Sequence, residues 1–258
     1  MEFDFALREL RFWLTDHRRT WKGSTFSIVT SPVLYLAALG LGLGAIVNAH
    51  GDARLGHVSY LAFIAPGLMA AICMQLATTD STYPVHACAH FLKIYQAAIA
   101  SPLRPRDLFH GHLLFTALRL TLASAVFLAI MTAFGATRSA WALAAVPAAV
   151  LTGLAFAAPV EAWAVRCTKD SSFGLLTRFV IIPLFLFSGT LFPVSGLPPA
   201  LRPVAYATPL WNGVALTRSL TLGQAQFGAD AWHVAYLIAI IAIGVGIGNR
   251  TYRRELYA

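Results

Sequence analysis

Long apolar runs separated by short polar or charged breaks make up most of this chain. Residues 1–22 are the exception. There Phe3, Leu7, Leu10 and Leu14, reinforced by Ala6 and Trp13, recur at helical spacing, while Asp4, Arg8, Arg11 and Arg18 fall on the opposite side. This pattern predicts an amphipathic helix lying in a membrane interface and ending at Trp21 and Lys22. A packed helix of a small soluble cap is the alternative. A signal peptide does not fit, because Glu2, Asp4, Arg8, Glu9 and Arg11 interrupt what should be an uncharged core. Six apolar runs follow, at about 24–47, 60–82, 112–134, 141–165, 173–194 and 232–249. A helix of about 20 residues crosses the ~30 Å hydrocarbon layer, so the pattern predicts six spans with both termini on one side.

Composition narrows the class. Of 258 residues, 58% are hydrophobic and 12% charged, too little charge to cover a soluble domain and too much apolar content for disorder. An all-α integral membrane protein is the reading that remains. The net charge of +8 is first a matter of topology. Arg8, Arg11, Arg18, Arg19, Lys22, Lys93, Arg104, Arg106, Arg166, Lys169, Arg250, Arg253 and Arg254 would share one side, and only Arg54, Arg138, Arg202 and Arg218 the other. Basic residues concentrate in cytoplasmic loops, so both termini are expected in the cytoplasm, and the basicity points to anionic lipid, not nucleic acid. Cys73, Cys88 and Cys167 form no CxxC pair and are expected as free thiols.

Three regions carry more than span signals. The stretch 83–111 is too long for a mere connector. Phe91, Ile94, Tyr95, Ala98 and Ile99 have helical spacing, and the helix must stop before Pro102. The result is a short helix with a proline-stiffened, protruding end; an interfacial anchor for the loop is the other reading. The stretch 195–230 contains Pro198, Pro199, Pro203 and Pro209 beside Tyr206 and Trp211, too proline-rich for a span and too apolar for a solvated loop. Short helices dipping partway into the outer leaflet fit it, with a simple external flap as the alternative. The third region is intramembrane charge: Asp80, Arg119, Glu161 and Arg178 all fall on the cytoplasmic half of their spans. Such groups pair or face a wet interior. Depth counted along the helices predicts a Glu161–Arg119 or Glu161–Arg178 contact that pins the bundle.

Catalytic signatures are sparse. None of the three lysines, Lys22, Lys93 and Lys169, lies in a GxxxxGK[ST] loop, so the chain has no nucleotide-cradling motif of that kind. His86 and His90, with Cys88, His110 and His112, form a loose metal-ligand pattern that reads equally as solvated or headgroup-facing histidines. No nucleophile elbow is present.

From Phe185 to Val194 the sequence reads FLFSGTLFPV, followed by Leu197-Pro198, by Thr208-Pro209-Leu210-Trp211, and by Arg218. Together with YQAAIASPLRPRD from Tyr95 to Asp107, this resembles the type-2 ATP-binding cassette exporter permeases, in particular the branch of nodulation-factor and daunorubicin-type exporter permeases. The resemblance spans nearly the whole chain. It implies one six-span permease domain over 1–258 in a bacterial plasma membrane, a second permease copy or related permease, and two cytoplasmic ATPase subunits that bind ATP and Mg while this chain binds neither. It further implies a connecting helix at 1–22, a coupling helix at about 90–102 that seats in the ATPase through Phe91, Lys93, Ile94, Tyr95 and Leu103, and paired re-entrant external helices including Pro198, Tyr206, Pro209 and Trp211. The coupling region lacks the acid-rich stretch of many members. The cargo class it implies is amphipathic, a lipid-linked saccharide, glycolipid or hydrophobic drug. Tyr35, Met69, Phe185 and Phe187 are the expected pathway residues. Two other readings stay open: a membrane enzyme acting on a lipid through the Glu161, Arg119 and Arg178 group, and a non-transporting assembly or sensor protein using the 83–111 loop.

Overall fold

A computed structural model describes residues 2–44 and 58–257. Among these every regular element is helical. The last residues of the expected first span, 45–47, and the polar turn after it lie outside the described residues.

Helix α1, Glu2–Tyr35, runs without interruption through Trp21 and Lys22 and continues as a π-helical segment, Leu36–Leu43. The amphipathic segment therefore does not stop where the sequence suggested; it is one helix with the first apolar run. The expected apolar side divides between packing and surface. Ala6, Glu9 and Trp13 turn inward, whereas Leu7, Phe12 and Leu14 are exposed.

Helix α2, Tyr60–Asp80, is capped by Ser59, whose hydroxyl accepts from the Ala62 N–H. Next come α3 (Tyr83–His86), a π-helical turn at Ala87–Phe91 and α4 (Ile94–Ile99). Helix α5, Pro105–Ala133, starts seven residues before the predicted third span, because Pro105 suits the first helical turn and Asp107 accepts the Arg104 N–H at 2.9 Å. A 3-10 turn, Ala140–Ala144, leads into α6, Ala145–Ala164. The fifth apolar run is broken into α7 (Ser171–Leu176), a π turn (Thr177–Ile181) and α8 (Ile182–Phe187). It ends at the FSG motif, short of Val194, because Gly189 sits at φ +78, a left-handed conformation that closes the helix. After a 3-10 turn at Val194–Gly196 come α9 (Arg202–Tyr206), α10 (Pro209–Leu222) and the long α11 (Phe227–Tyr257), which extends past both predicted ends of the sixth run.

Among the described residues four stretches are long and apolar enough to cross a membrane: Tyr60–Phe91, Pro105–Ala133, Ala140–Ala164 and Phe227–Tyr257. The 171–187 stretch is a shorter apolar helix. Helix α6 is the hub, packed against α2, α5, α10 and α11, while α1 lies along α5. Lipid tails are as apolar as leucine, so such a bundle coheres by close backbone approach and polar contacts, not by hydrophobic burial. The alanine-rich α6 supplies the smooth surface. At its crossing with α10, a Cβ on Gly213 would lie 2.1 Å from the Thr152 hydroxyl oxygen.

Candidate functional site

Two features could serve a function at the end of the bundle where α1, α4, α5 and α11 meet. The first is the loop between α2 and α5. Lys93 takes a left-handed conformation (φ 50) between the π turn and α4. That reversal pushes Phe91 (69% exposed) and Leu92 (65% exposed) outward as an apolar knob beside the exposed Lys93. The base of the knob is tied down. His90 Nε2 is 3.0 Å from the Val165 carbonyl, and Gln96 Nε2 donates to the Ala89 carbonyl at 2.6 Å. Of the five residues expected to touch an ATPase, Phe91 and Lys93 face out and Ile94 and Leu103 are half-buried. Tyr95 points the other way. It is fully buried, 5.8 Å from the Tyr252 ring and among Val85, Phe109 and Phe173, so it anchors the loop and forms no part of its outer face.

Behind Tyr95 lies the second feature, a buried polar network. Glu161 on α6 is fully enclosed. Its Oε1 accepts from the Tyr252 hydroxyl at 2.9 Å, and its Oε2 lies 3.0 Å from Nδ1 of the equally enclosed His112 on α5. The His112 ring stands 4.6 Å from Trp13, whose indole N–H donates to Glu9 at 2.9 Å. One chain of contacts thus joins α4, α11, α6, α5 and α1. Burial raises the Glu9 carboxyl from its ordinary 4.5 to about 7, against the lowering effect of the Trp13 N–H. Burial also pushes the Tyr95 phenol well above its usual range.

This arrangement corrects the expected charge pairing. Glu161 contacts neither Arg119 nor Arg178. Arg119 ion-pairs with Asp80 on α2, one level further along α5, and Arg178 is exposed on the π turn of the fifth run. His112 and Tyr252, the partners Glu161 does use, were missed. Two signals bore on them: His112 is two turns before Arg119 on the same face of α5, and a buried carboxylate needs a donor.

At the other end of the molecule α10 is inserted against α2, α6 and α11. Its Thr208 cap accepts from the Trp211 N–H. Asn212 Oδ1 is 2.8 Å from His233 Nδ1. Side chains from α10 reach backbone carbonyls of α2 around Pro66: Thr217 donates to the Pro66 oxygen at 3.1 Å and Arg218 Nε to the Phe63 oxygen at 3.1 Å. Arg218 also reaches the Gly189 carbonyl at 2.9 Å, joining the FSG motif to α2 and α10. Short helices joined by proline turns are thus present, with Pro198 and Tyr206 exposed, Pro209 opening α10 and Trp211 half-buried against Tyr206.

The four expected pathway residues do not share a cavity. Met69 is buried in the bundle core with Phe185 packed near it, while Tyr35 and Phe187 are exposed on separate elements. Among the described residues no group of three or more His, Cys, Asp or Glu gathers as a metal site; His112, from the loose histidine pattern, is turned toward Glu161.

Apolar helices that bury their charges in pairs and hydrogen-bond to the backbone carbonyls of a neighbouring helix define a multi-pass membrane protein. Residues 11–222 match the ABC-2 type transporter model, and the chain belongs to that family. It is similar to Nodulation protein J of Rhizobium leguminosarum bv. trifolii, 31% identical over 95% of this chain and 94% of the relative. It is also similar to Nodulation protein J of Rhizobium meliloti (29%; 95% and 94%) and of Bradyrhizobium diazoefficiens (27%; 93% and 89%). Family membership makes the chain a membrane subunit of a transporter, not a catalytic enzyme, and implies an ATPase partner.

Proposed function

We propose that this chain is the permease of an ATP-binding cassette exporter, energised by two separate cytoplasmic ATPase subunits and paired with a second copy or a related permease. The apolar runs at 24–47 and 173–194 support two further spans, six in all, and the Lys/Arg bias supports cytoplasmic termini. An amphipathic cargo, whether lipid-linked saccharide, glycolipid or hydrophobic drug, fits the exporter branch that the FSG and TPLW motifs resemble.

The observation that carries the reading is the exposed Phe91-Leu92-Lys93 knob on a loop anchored by Tyr95. Two large apolar side chains held out beside a left-handed hinge are costly in water and useful against a protein groove. ATP-driven approach of the two ATPases would push the knobs together. Tyr95 would pass that push to Tyr252 and the Glu161–His112 contact, and so to α1 and the spans.

The enzyme reading rested on Glu161, Arg119 and Arg178 acting together, and against it stand the full enclosure of Glu161, the pairing of Arg119 with Asp80 and the exposure of Arg178 on another element. The test is co-expression and co-purification with a candidate ATP-binding cassette ATPase subunit from the same organism, followed by ATP hydrolysis. Phe91→Ala with Leu92→Ala is expected to abolish association while leaving the melting temperature unchanged. Undiminished ATPase binding and coupling in that variant would overturn the assignment of the knob, and absence of any ATPase association with the unaltered chain would overturn the exporter reading.

A further inference from the structure

Two neighbouring cavities at the basic end of the bundle share Arg106. One, of about 430 Å³, lies between the start of α5 and the end of α11 and is lined by Arg104, Arg106, Asn249, Arg250, Arg253 and Tyr257. The other, also about 430 Å³, runs from Arg106 and His110 along the bundle between α5, α6 and α11, past Leu113, Leu114, Ala117, Leu154 and Ile241. Four guanidinium groups at the mouth of an apolar groove are complementary to one chemistry: an anionic phosphate carried on an acyl chain.

We propose that this composite groove binds an acidic phospholipid of the inner leaflet, with its phosphate between Arg250, Arg253 and the α5 start and one acyl chain along Leu113, Leu114 and Ile241. Basic pockets between spans on the cytoplasmic side suit such headgroups. Three details support the choice. The carboxylate that lines the groove beside Arg106, Asp107, is buried and engaged by the Arg104 N–H. The helix that opens at Pro105 is 29 residues long and turns its positive end to the same place. Asn249 lines the headgroup cavity with a buried amide oxygen that has no hydrogen-bond partner, so it can accept from a headgroup hydroxyl such as that of phosphatidylglycerol. The site braces α5 against α11, the two helices whose His112 and Tyr252 hold Glu161. The proposal rests on the orientation stated above, in which this end faces the cytoplasm.

The test uses the full chain in detergent with no ATPase present, so its outcome is independent of coupling. Native mass spectrometry measures retention of dioleoyl phosphatidylglycerol, dioleoyl phosphatidylcholine and, separately, glycerol 3-phosphate. Phosphatidylglycerol is expected to be retained in preference to phosphatidylcholine, and glycerol 3-phosphate not at all. Arg250→Gln with Arg253→Gln, both at exposed positions, should weaken retention by roughly thirtyfold. Leu114→Trp, which fills the groove and keeps every arginine, should weaken it too. Equal retention of the two lipids, unchanged retention in both variants, or binding of glycerol 3-phosphate as tight as that of the lipid would each overturn the proposal. So would an arginine variant that keeps its lipid but, in a separate pull-down, loses the ATPase, because those side chains would then face protein.

Discussion

Glu161 offers the sharpest test of how the bundle is held together. Its carboxylate is fully buried and has two partners on two other helices, the Tyr252 hydroxyl at 2.9 Å and His112 Nδ1 at 3.0 Å. Glu161→Ala removes the acceptor of the Tyr252 hydroxyl, leaving it enclosed without a partner, and strips His112 of the carboxylate beside it. Breaking a buried pair from one side costs about 3–5 kcal/mol. Tyr252→Phe is milder, since interhelical hydrogen bonds within membranes average ~0.6 kcal/mol and reach ~1.7. In the Glu161→Ala background the same Tyr252→Phe change should cost nothing, because the hydroxyl no longer has its acceptor. The double-mutant cycle therefore predicts a coupling on the order of 1 kcal/mol. Unfolding of the purified chain in mixed micelles of increasing denaturing detergent supplies the free energies. Arg178→Ala is the control: this side chain is exposed, so its loss should stay within about 0.5 kcal/mol of the unaltered chain. If Glu161→Ala behaves like that control, or if Tyr252→Phe costs the same with and without Glu161, the network does not brace the bundle.

Three further outcomes follow from particular contacts. Gly213→Val would drive its side chain into Thr152, whose hydroxyl oxygen already lies 2.1 Å from the nearest Cβ position, so α10 should shift and stability fall by about 1–3 kcal/mol, measured as a lower melting temperature that Thr152→Gly partly restores. Glu9, raised by burial from 4.5 to about 7, keeps in the folded chain a proton that the unfolded chain releases. Its contribution should be complete below about pH 4.5, decline as pH rises and level off above about 7; Glu9→Gln should flatten this part of the melting-temperature profile, and an identical slope in both proteins would count against it. Lys93→Gly relieves a left-handed backbone costing a lysine about 1 kcal/mol, so the melting temperature should rise by roughly 2–4 °C, whereas the β-branched Lys93→Val should lower it.

Four of the six expected spans, the second, third, fourth and sixth, were legible as long apolar helices because an apolar run is a local signal, and prolines and glycines punctuate it locally too. Pairing was not local. Glu161 and Tyr252 are 91 residues apart, and Arg218 reaches a carbonyl 155 residues away, so no window along the chain contains either contact. Counting depth along helices placed Glu161 near Arg119, yet depth fixes a partner only together with rotation. His112 and Arg119 lie on one face of α5 but about 10 Å apart along it, and α6 meets the first while α2 meets the second.

The loop shows the same limit in miniature. Helical spacing put Phe91 and Tyr95 on one face, and an unbroken helix would have kept them there. One backbone torsion undoes that inference. With Lys93 at φ 50 the phase of the helix resets, Phe91 swings out and Tyr95 stays in. Periodicity assumes a continuous helix, and a lysine gives no warning of a left-handed turn as a glycine would. The division of labour in this loop, an outward knob and an inward anchor four residues apart, is therefore a product of that one residue. It also explains why the two should respond differently to truncation: Phe91→Ala should affect only what the loop touches, and Tyr95→Ala should loosen the loop itself.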